Sequence, residues 1–293
     1  MRDMRGIFAA LLTPLDGQGR LNEPSLRRLV SVNIQRGVDG FYVGGSTGEA
    51  FLLTTQERRR ILEVVVEEAA GRVAVIAHVG AIGTDLTLEL GKHAVAVGVD
   101  AISSIPPFYY KFTAEEIVGY YGDLARILDA PIIPYNFPAL SGVTLTGDLI
   151  RQLRVDPRII GVKFTSNDLF QLAQMKEADH DLLVYNGFDE IFLAGLSMGA
   201  DGAIGSTFNF MPDKYIHIKR CYESGSMDEA RDWQNQANEV IQVLLQTGKL
   251  LNAQKYLMDL QGIPCGECRR PFLPLTAEDK KILEAVAKKH LAV

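Results

Sequence analysis

Cysteine is scarce and of the wrong parity for cross-linking. Three cysteines in 293 residues do not build a disulfide framework of the kind that staples small secreted chains. Two of them form Cys265-Gly266-Glu267-Cys268, but no second Cys or His pair accompanies them, so a structural role is expected there and zinc is not. No carboxylate and histidine cluster with metal-ligand spacing occurs elsewhere, so neither a metal nor another cofactor is expected. No window approaches the ~18 consecutive apolar residues that would mark a membrane span. The opening Met1-Arg2-Asp3-Met4-Arg5 is followed by an apolar stretch, Ile7 to Leu12, that Thr13-Pro14 cuts off. That stretch is too short for a secretory h-region. These absences predict a soluble, cytoplasmic protein. An excess of positive charge is also missing. The net charge of -6 argues against a nucleic-acid or anionic-membrane surface. Arg58-Arg59-Arg60, the longest basic run, reads as a solvated helix face.

What is present is ordinary globular material, 47% hydrophobic and 23% charged, arranged as strand then helix, repeatedly. Short β-rich runs occur at 6–12, 40–43, 73–79, 101–105, 131–135, 159–164, 182–185 and 202–204. Most are near-continuous in apolar residues, as parallel strands buried on both faces are. Helical patterns separate them. Thr54-Thr55-Gln56-Glu57 and Thr113-Ala114-Glu115-Glu116 are capping boxes ahead of apolar periodic segments, and further helices are expected over 24–35, 85–97, 145–153, 168–178, 189–198 and 210–222. Eight such units predict an α/β fold, a (β/α)₈ TIM barrel over residues 1–224. A doubly wound sheet would need a Gly-rich turn after the first strand, and Thr13-Pro14-Leu15-Asp16-Gly17 is not one. Ser226-Met227-Asp228-Glu229 reads as a third capping box. It opens a C-terminal helical appendage, residues 225–293, packed on the barrel.

In such barrels the chemistry gathers where strands end. The sixth strand, Ile159-Ile160-Gly161-Val162-Lys163-Phe164, holds a single ammonium in an apolar run. Burying that charge unpaired pushes the amine toward its neutral, nucleophilic form, whereas burial beside a carboxylate would make it an inert ion pair. The other strand ends carry Gly44-Gly45-Ser46-Thr47-Gly48-Glu49, Tyr135-Asn136-Phe137-Pro138, Thr165, Asn186-Gly187-Phe188-Asp189-Glu190 and Gly205-Ser206-Thr207. Singly, each has a plain structural reading: a rim aromatic, a tight turn, first-turn acids, loop hydroxyls. The glycines around Ser46, with a helix N-terminus expected soon after, would also let backbone N–H groups approach an anion. Gly44-Gly45-Ser46-Thr47-Gly48 formally matches the nucleophile elbow of a serine hydrolase. That reading lacks an oxyanion segment upstream and a later acid followed by a histidine. Among the histidines only His78 lies near a strand end.

Taken in order, Gly44-Gly45-Ser46-Thr47-Gly48-Glu49, Pro107-Phe108-Tyr109-Tyr110, Tyr135-Asn136-Phe137-Pro138, Gly161-Val162-Lys163-Phe164-Thr165 and Gly202-Ala203-Ile204-Gly205-Ser206 resemble the pyruvate-dependent aldolase family that includes dihydrodipicolinate synthases and N-acetylneuraminate lyases. The resemblance spans the barrel and the tail. Its lyase branch fits better, because the synthase pattern has an arginine where Leu140 stands and because Gly187-Phe188-Asp189-Glu190 resembles a sugar-binding segment. It implies that Lys163 forms a Schiff base with a 2-keto sugar acid, here N-acetylneuraminate, releasing pyruvate and N-acetylmannosamine, with Tyr135 moving protons. Ser46 and Thr47 would bind the substrate carboxylate. Thr165, Gly187, Asp189, Glu190 and Ser206 would hold the acylamino polyol tail. Tyr109 would reach a neighbouring subunit's site, which implies a homo-oligomer, a tetramer. The alternatives are a sugar-acid aldolase, a dehydratase or a dihydrodipicolinate synthase of the same family, and a barrel that only senses a keto acid.

Overall fold

The computed structural model describes residues 2–291, so Met1 and the last two residues of the expected tail lie outside it. The strands are β1 (Gly6–Ala10), β2 (Gly40–Val43), β3 (Ala74–His78), β4 (Ala101–Ser104), β5 (Ile132–Asn136), β6 (Gly161–Phe164), β7 (Leu183–Asn186) and β8 (Gly202–Gly205). They pair in parallel in sequence order, and β8 closes back on β1, giving the (β/α)₈ barrel. The helices around it are α1 (Glu23–Gln35), α2 (Thr55–Ala69), α3 (Thr84–Ala96), α4 (Ala114–Leu128), α5 (Pro138–Ser141), α6 (Gly147–Leu153), α7 (Leu169–Ala178), α8 (Phe192–Ser197) and α9 (Pro212–Glu223). Three more complete the chain, α10 (Met227–Gln246), α11 (Leu250–Leu260) and α12 (Ala277–His290). No helix among the described residues is long and apolar enough to cross a membrane.

The strands read as unbroken apolar runs because both faces are covered. Ile7 and Ala9 of β1 face the layer between barrel and helices, while Phe8 and Ala10 join Tyr42, Ile76, Ile133, Tyr135, Tyr185 and Ile204 inside the barrel. The same alternation sets the phase of β6. Val162 and Phe164 belong to the outer layer. Lys163 lies between them and is in register with Tyr135 of β5 and Tyr185 of β7, both inward. The pleat therefore turns the lysine into the barrel.

The capping boxes at Thr54 and Thr113 form, each with its Glu three residues on. Two expectations change. Ser226 precedes α10 but its side chain makes no cap; it accepts from Ser224 Oγ instead, so the third box is absent. The helix expected over 189–198 begins as a 3₁₀ turn, Asp189–Ile191, and becomes α8 only at Phe192. The Ser46 turn runs on into another 3₁₀ turn, Ala50–Leu52, and α2 then starts at Thr55, behind its expected Thr54 cap.

The C-terminal helices are bonded into the barrel mouth. Lys255 of α11 and Glu49, both buried, form an ion pair at 2.5 Å. Gln234 and Asn238 of α10 donate to the carbonyls of Asp189 and Glu190. Gln254 of α11 donates to Ser206 Oγ at 2.9 Å. The arginine run is not simply a solvated face. Arg59 and Arg60 pair with Glu89 and Glu23, but Arg58 is buried and caps the end of β3 by donating to the carbonyls of His78 and Gly80. Cys221, Cys265 and Cys268 are free thiols in buried positions.

Candidate active site at the barrel mouth

At the C-terminal ends of the strands lies a cavity of about 330 Å³. It brings together Ser46 and Thr47 after β2, Tyr135 on β5, Lys163 and Thr165 on and after β6, Gly187, Asp189 and Glu190 after β7, and Ser206 after β8. Tyr109 does not belong to it. It stands exposed on the β4–α4 connection, in a left-handed backbone conformation with φ 81°. A larger cleft of about 680 Å³ runs between α6 and α7 on the outside of the molecule, and none of these residues lines it.

Lys163 is only 5% exposed. Its Nζ lies 4.2 Å from the ring centre of Tyr42 and 4.3 Å from that of Tyr135. Burial lowers its pKa from the ordinary 10.5 to about 7, while the negative charge of Asp189 pulls weakly the other way. The inert ion-pair reading of this lysine is thereby removed. Two aromatic faces lie against it, and a substantial share of the amine is unprotonated near neutrality.

Tyr135 is pushed up to about 12, chiefly by burial; the hydroxyls of Thr165 and Ser46 nearby favour its ionised form and only partly offset this. It therefore rests as a protonated phenol. Thr165 Oγ1 is buried and makes no hydrogen bond of ordinary geometry; the polar group its hydroxyl acts on is the Tyr135 phenol. Its position also explains Gly187: a Cβ there would sit 1.9 Å from Thr165 Oγ1.

Asp189 is buried, and burial raises its pKa to about 6 despite two stabilising bonds. Its Oδ2 accepts from the Thr207 N–H at 2.8 Å and from Thr207 Oγ1 at 2.7 Å. Thr207 Oγ1 is in turn bonded to the Tyr215 hydroxyl at 2.7 Å. With Thr207 donating to the carboxylate, Tyr215 is the donor in that second bond. The carboxylate is thus anchored through one oxygen.

His78, at the end of β3, is a strand-end histidine beside Tyr135, with ring centres 6.0 Å apart. It takes no part in proton exchange. Its Nε2 accepts from the Ile105 N–H, so Nδ1 carries the proton and donates to the Gly44 carbonyl. Burial and the Arg58 charge hold its pKa down to about 3. With both ring nitrogens committed to backbone, it cannot activate Ser46, and the hydrolase reading falls. Sequence reasoning weighed His78 only as the base of a hydrolase and passed over Tyr42. The available signal for Tyr42 was its phase: it shares the inward parity of β2 with Gly40.

The profile of the Dihydrodipicolinate synthetase family matches residues 3–290. The chain belongs to that family. This family member is 44% identical over 290 residues to the N-acetylneuraminate lyase of Citrobacter koseri, covering 98% of this chain and 97% of that protein. Among solved structures, it resembles CdNal from Clostridium difficile in complex with mannosamine, with a TM-score of 0.96, 38% identity, and 99% and 100% of the two chains covered. It also resembles the N-acetylneuraminate lyase of Fusobacterium nucleatum complexed with pyruvate, with a TM-score of 0.94, 36% identity, and 99% and 98% covered.

Proposed function

We propose that this family member is a Schiff-base aldolase that cleaves N-acetylneuraminate to pyruvate and N-acetylmannosamine. The observation that carries the proposal is the Lys163 amine. It is buried, lies over two aromatic faces and is brought to a pKa of about 7, in one cavity with the hydroxyls and carboxylates a sugar acid needs. Relatives support the substrate. A lyase of that name is 44% identical along almost the whole chain, and solved relatives bind pyruvate and mannosamine.

In this reading Nζ adds to C2 of the open-chain keto acid. The phenol of Tyr135, kept protonated by burial, passes its proton to the departing C2 oxygen, which leaves as water. The iminium then accepts the electron pair of the C3–C4 bond as that bond breaks, and the Tyr135 phenolate takes the C4 hydroxyl proton as the aldehyde forms. Protonation of the enamine at C3 and hydrolysis release pyruvate. Ser46 and Thr47 bind the carboxylate with hydroxyl and backbone N–H donors. Thr165 holds the acylamino polyol tail together with Gly187, Asp189, Glu190 and Ser206. Leu140 lines the cavity where the synthase pattern has an arginine, and no guanidinium lines it; a dicarboxylate aldehyde would lack its clamp. Tyr109, 82% exposed, serves a neighbouring subunit's site in a homotetramer, which sedimentation analysis tests.

Borohydride in the presence of pyruvate should add one pyruvate-derived mass to Lys163, and Lys163→Ala should abolish it. Trapping that survives in Lys163→Ala would place the nucleophile elsewhere. N-acetylneuraminate should be cleaved and aspartate semialdehyde should not be condensed; the opposite pattern would make the chain a synthase.

A further inference from the structure

Among the described residues, no carboxylate forms an ion pair with Lys163, where the cation forms. Asp189 is the acid whose charge reaches Nζ, and one of its oxygens is committed to Thr207. What does touch Nζ is aromatic. The Tyr42 ring centre is 4.2 Å away, slightly closer than that of Tyr135, and it is held with unusual completeness. Ser103 Oγ donates to the Ile133 carbonyl at 2.6 Å, so the 3.0 Å contact between Tyr42 and Ser103 has the phenol as donor. The phenolic proton therefore points away from the lysine. On another side the ring abuts Gly45, where a Cβ would lie 2.6 Å from a ring carbon. Tyr135 and His78 pack on it edge-on and tilted.

Resting on the Schiff-base reading above, we propose that the face of Tyr42 is a catalytic group that stabilises the cationic Lys163 intermediates in place of a counter-ion. An aromatic face is suited to this task. A carboxylate at the same place would hold the amine protonated and unreactive, whereas the ring quadrupole lends a desolvated cation a smaller stabilisation. The amine can then lose its proton near neutrality, and the positive iminium still finds a partner. Tyr135 shares the geometry but must give and take a proton; Tyr42, tethered to Ser103, has only its face to offer.

The proposal makes an unusual pH prediction. Below the pKa of the amine, ammonium and iminium are both cations, both lose the same contact when the ring is removed, and their ratio is unchanged. Above it, the starting amine is neutral and only the iminium loses. The other titratable and charged groups around Nζ and the Tyr42 ring are common to wild type and variants. Asp189 titrates near 6, His78 stays neutral above about 3, Arg58 stays charged below about 10, Tyr135 keeps its proton below about 12, and Tyr185 donates to the Met4 carbonyl.

The experiment measures the fraction of enzyme trapped by borohydride across a pyruvate series from pH 6 to 9. Tyr42→Leu should weaken adduct formation roughly 10- to 30-fold at pH 9 and leave it nearly unchanged at pH 6. Tyr42→Phe keeps the face and loses the tether; its defect should be the several-fold cost of one hydrogen bond and flat with pH. Should the leucine variant fold poorly, pentafluorophenylalanine at position 42 keeps a ring of similar shape without the negative face and should reproduce the pH-dependent defect. A pH-independent loss in Tyr42→Leu, or a fluorinated ring that behaves as phenylalanine does, overturns the proposal. Absence of any adduct in the wild-type protein would instead refute the Schiff-base reading.

Discussion

Replacing Lys163 by methionine should make the folded protein more stable while abolishing adduct formation. The magnitude comes from the amine itself. In the unfolded chain it titrates at the ordinary 10.5 and in the folded protein at about 7. At pH 7 the unfolded lysine is essentially all protonated and the folded one about half, so unfolding takes up protons. Each pKa unit is worth about 1.4 kcal/mol, which puts the cost of carrying this lysine on the order of 4 kcal/mol at pH 7. The sign with pH is fixed by linkage. The penalty is complete below pH ~7, where both states hold the proton. It is relieved as pH rises toward 10.5, because the unfolded state binds more protons throughout that window. Methionine, similar in reach and uncharged, carries no such penalty. Urea unfolding of both proteins at pH 7, 8.5 and 10 measures the difference. The variant should be ahead by a few kcal/mol at pH 7, and the gap should narrow by pH 10. Groups not coupled to Lys163 titrate in both proteins and cancel; Asp189 loses the help of the lysine charge in the variant, which trims the gain near pH 7 without reversing its trend with pH. A gap of constant size, or a variant less stable than wild type, would refute the claim that burial sets the state of this amine.

Asp189→Asn removes the negative charge that favours the Lys163 ammonium, so the acid limb of pyruvate trapping should move to lower pH; a limb that stays put would deny the electrostatic link. Lys255→Met leaves Glu49 buried without its cation and should cost about 3–5 kcal/mol in urea unfolding, much of it recovered in the double variant with Glu49→Gln. Equal losses in the single and double variants would show that packing, not the stranded charge, was the cause. Gly187→Ala drives a methyl into Thr165 Oγ1 and should cost roughly 1–3 kcal/mol while raising KM for the sugar acid, measured by unfolding and steady-state kinetics; wild-type behaviour in both would show that the β7 connection yields freely.

The legible part of the fold was periodic. Eight apolar runs, the capping boxes at Thr54 and Thr113 and the lone charge at Lys163 lie within short windows, and the physics that shapes them is equally local. Ser226 shows the limit of that logic. It has the right spacing to its acid, yet Ser224 supplies its hydrogen-bond partner and the box does not form. The arginine run shows another: helical spacing puts Arg58 on the face of Ile61, Leu62 and Val65, but only the fold supplies the carbonyls at the end of β3 that its guanidinium binds.

The amino-acid sequence alone determined the alternation of strand and helix, the face on which Lys163 falls and the residues that gather at one rim, because side-chain parity and helix caps depend on neighbours a few positions away. Closure of the barrel decided the rest. It brought Tyr42 over the amine from more than a hundred residues away, sealed both nitrogens of His78 against backbone and tied Asp189 to Thr207 and Tyr215, while the docking of α11 on the barrel mouth buried Lys255 against Glu49. Each of these depends on which surfaces lose water together, and burial is a property of the assembled fold, not of any stretch of chain.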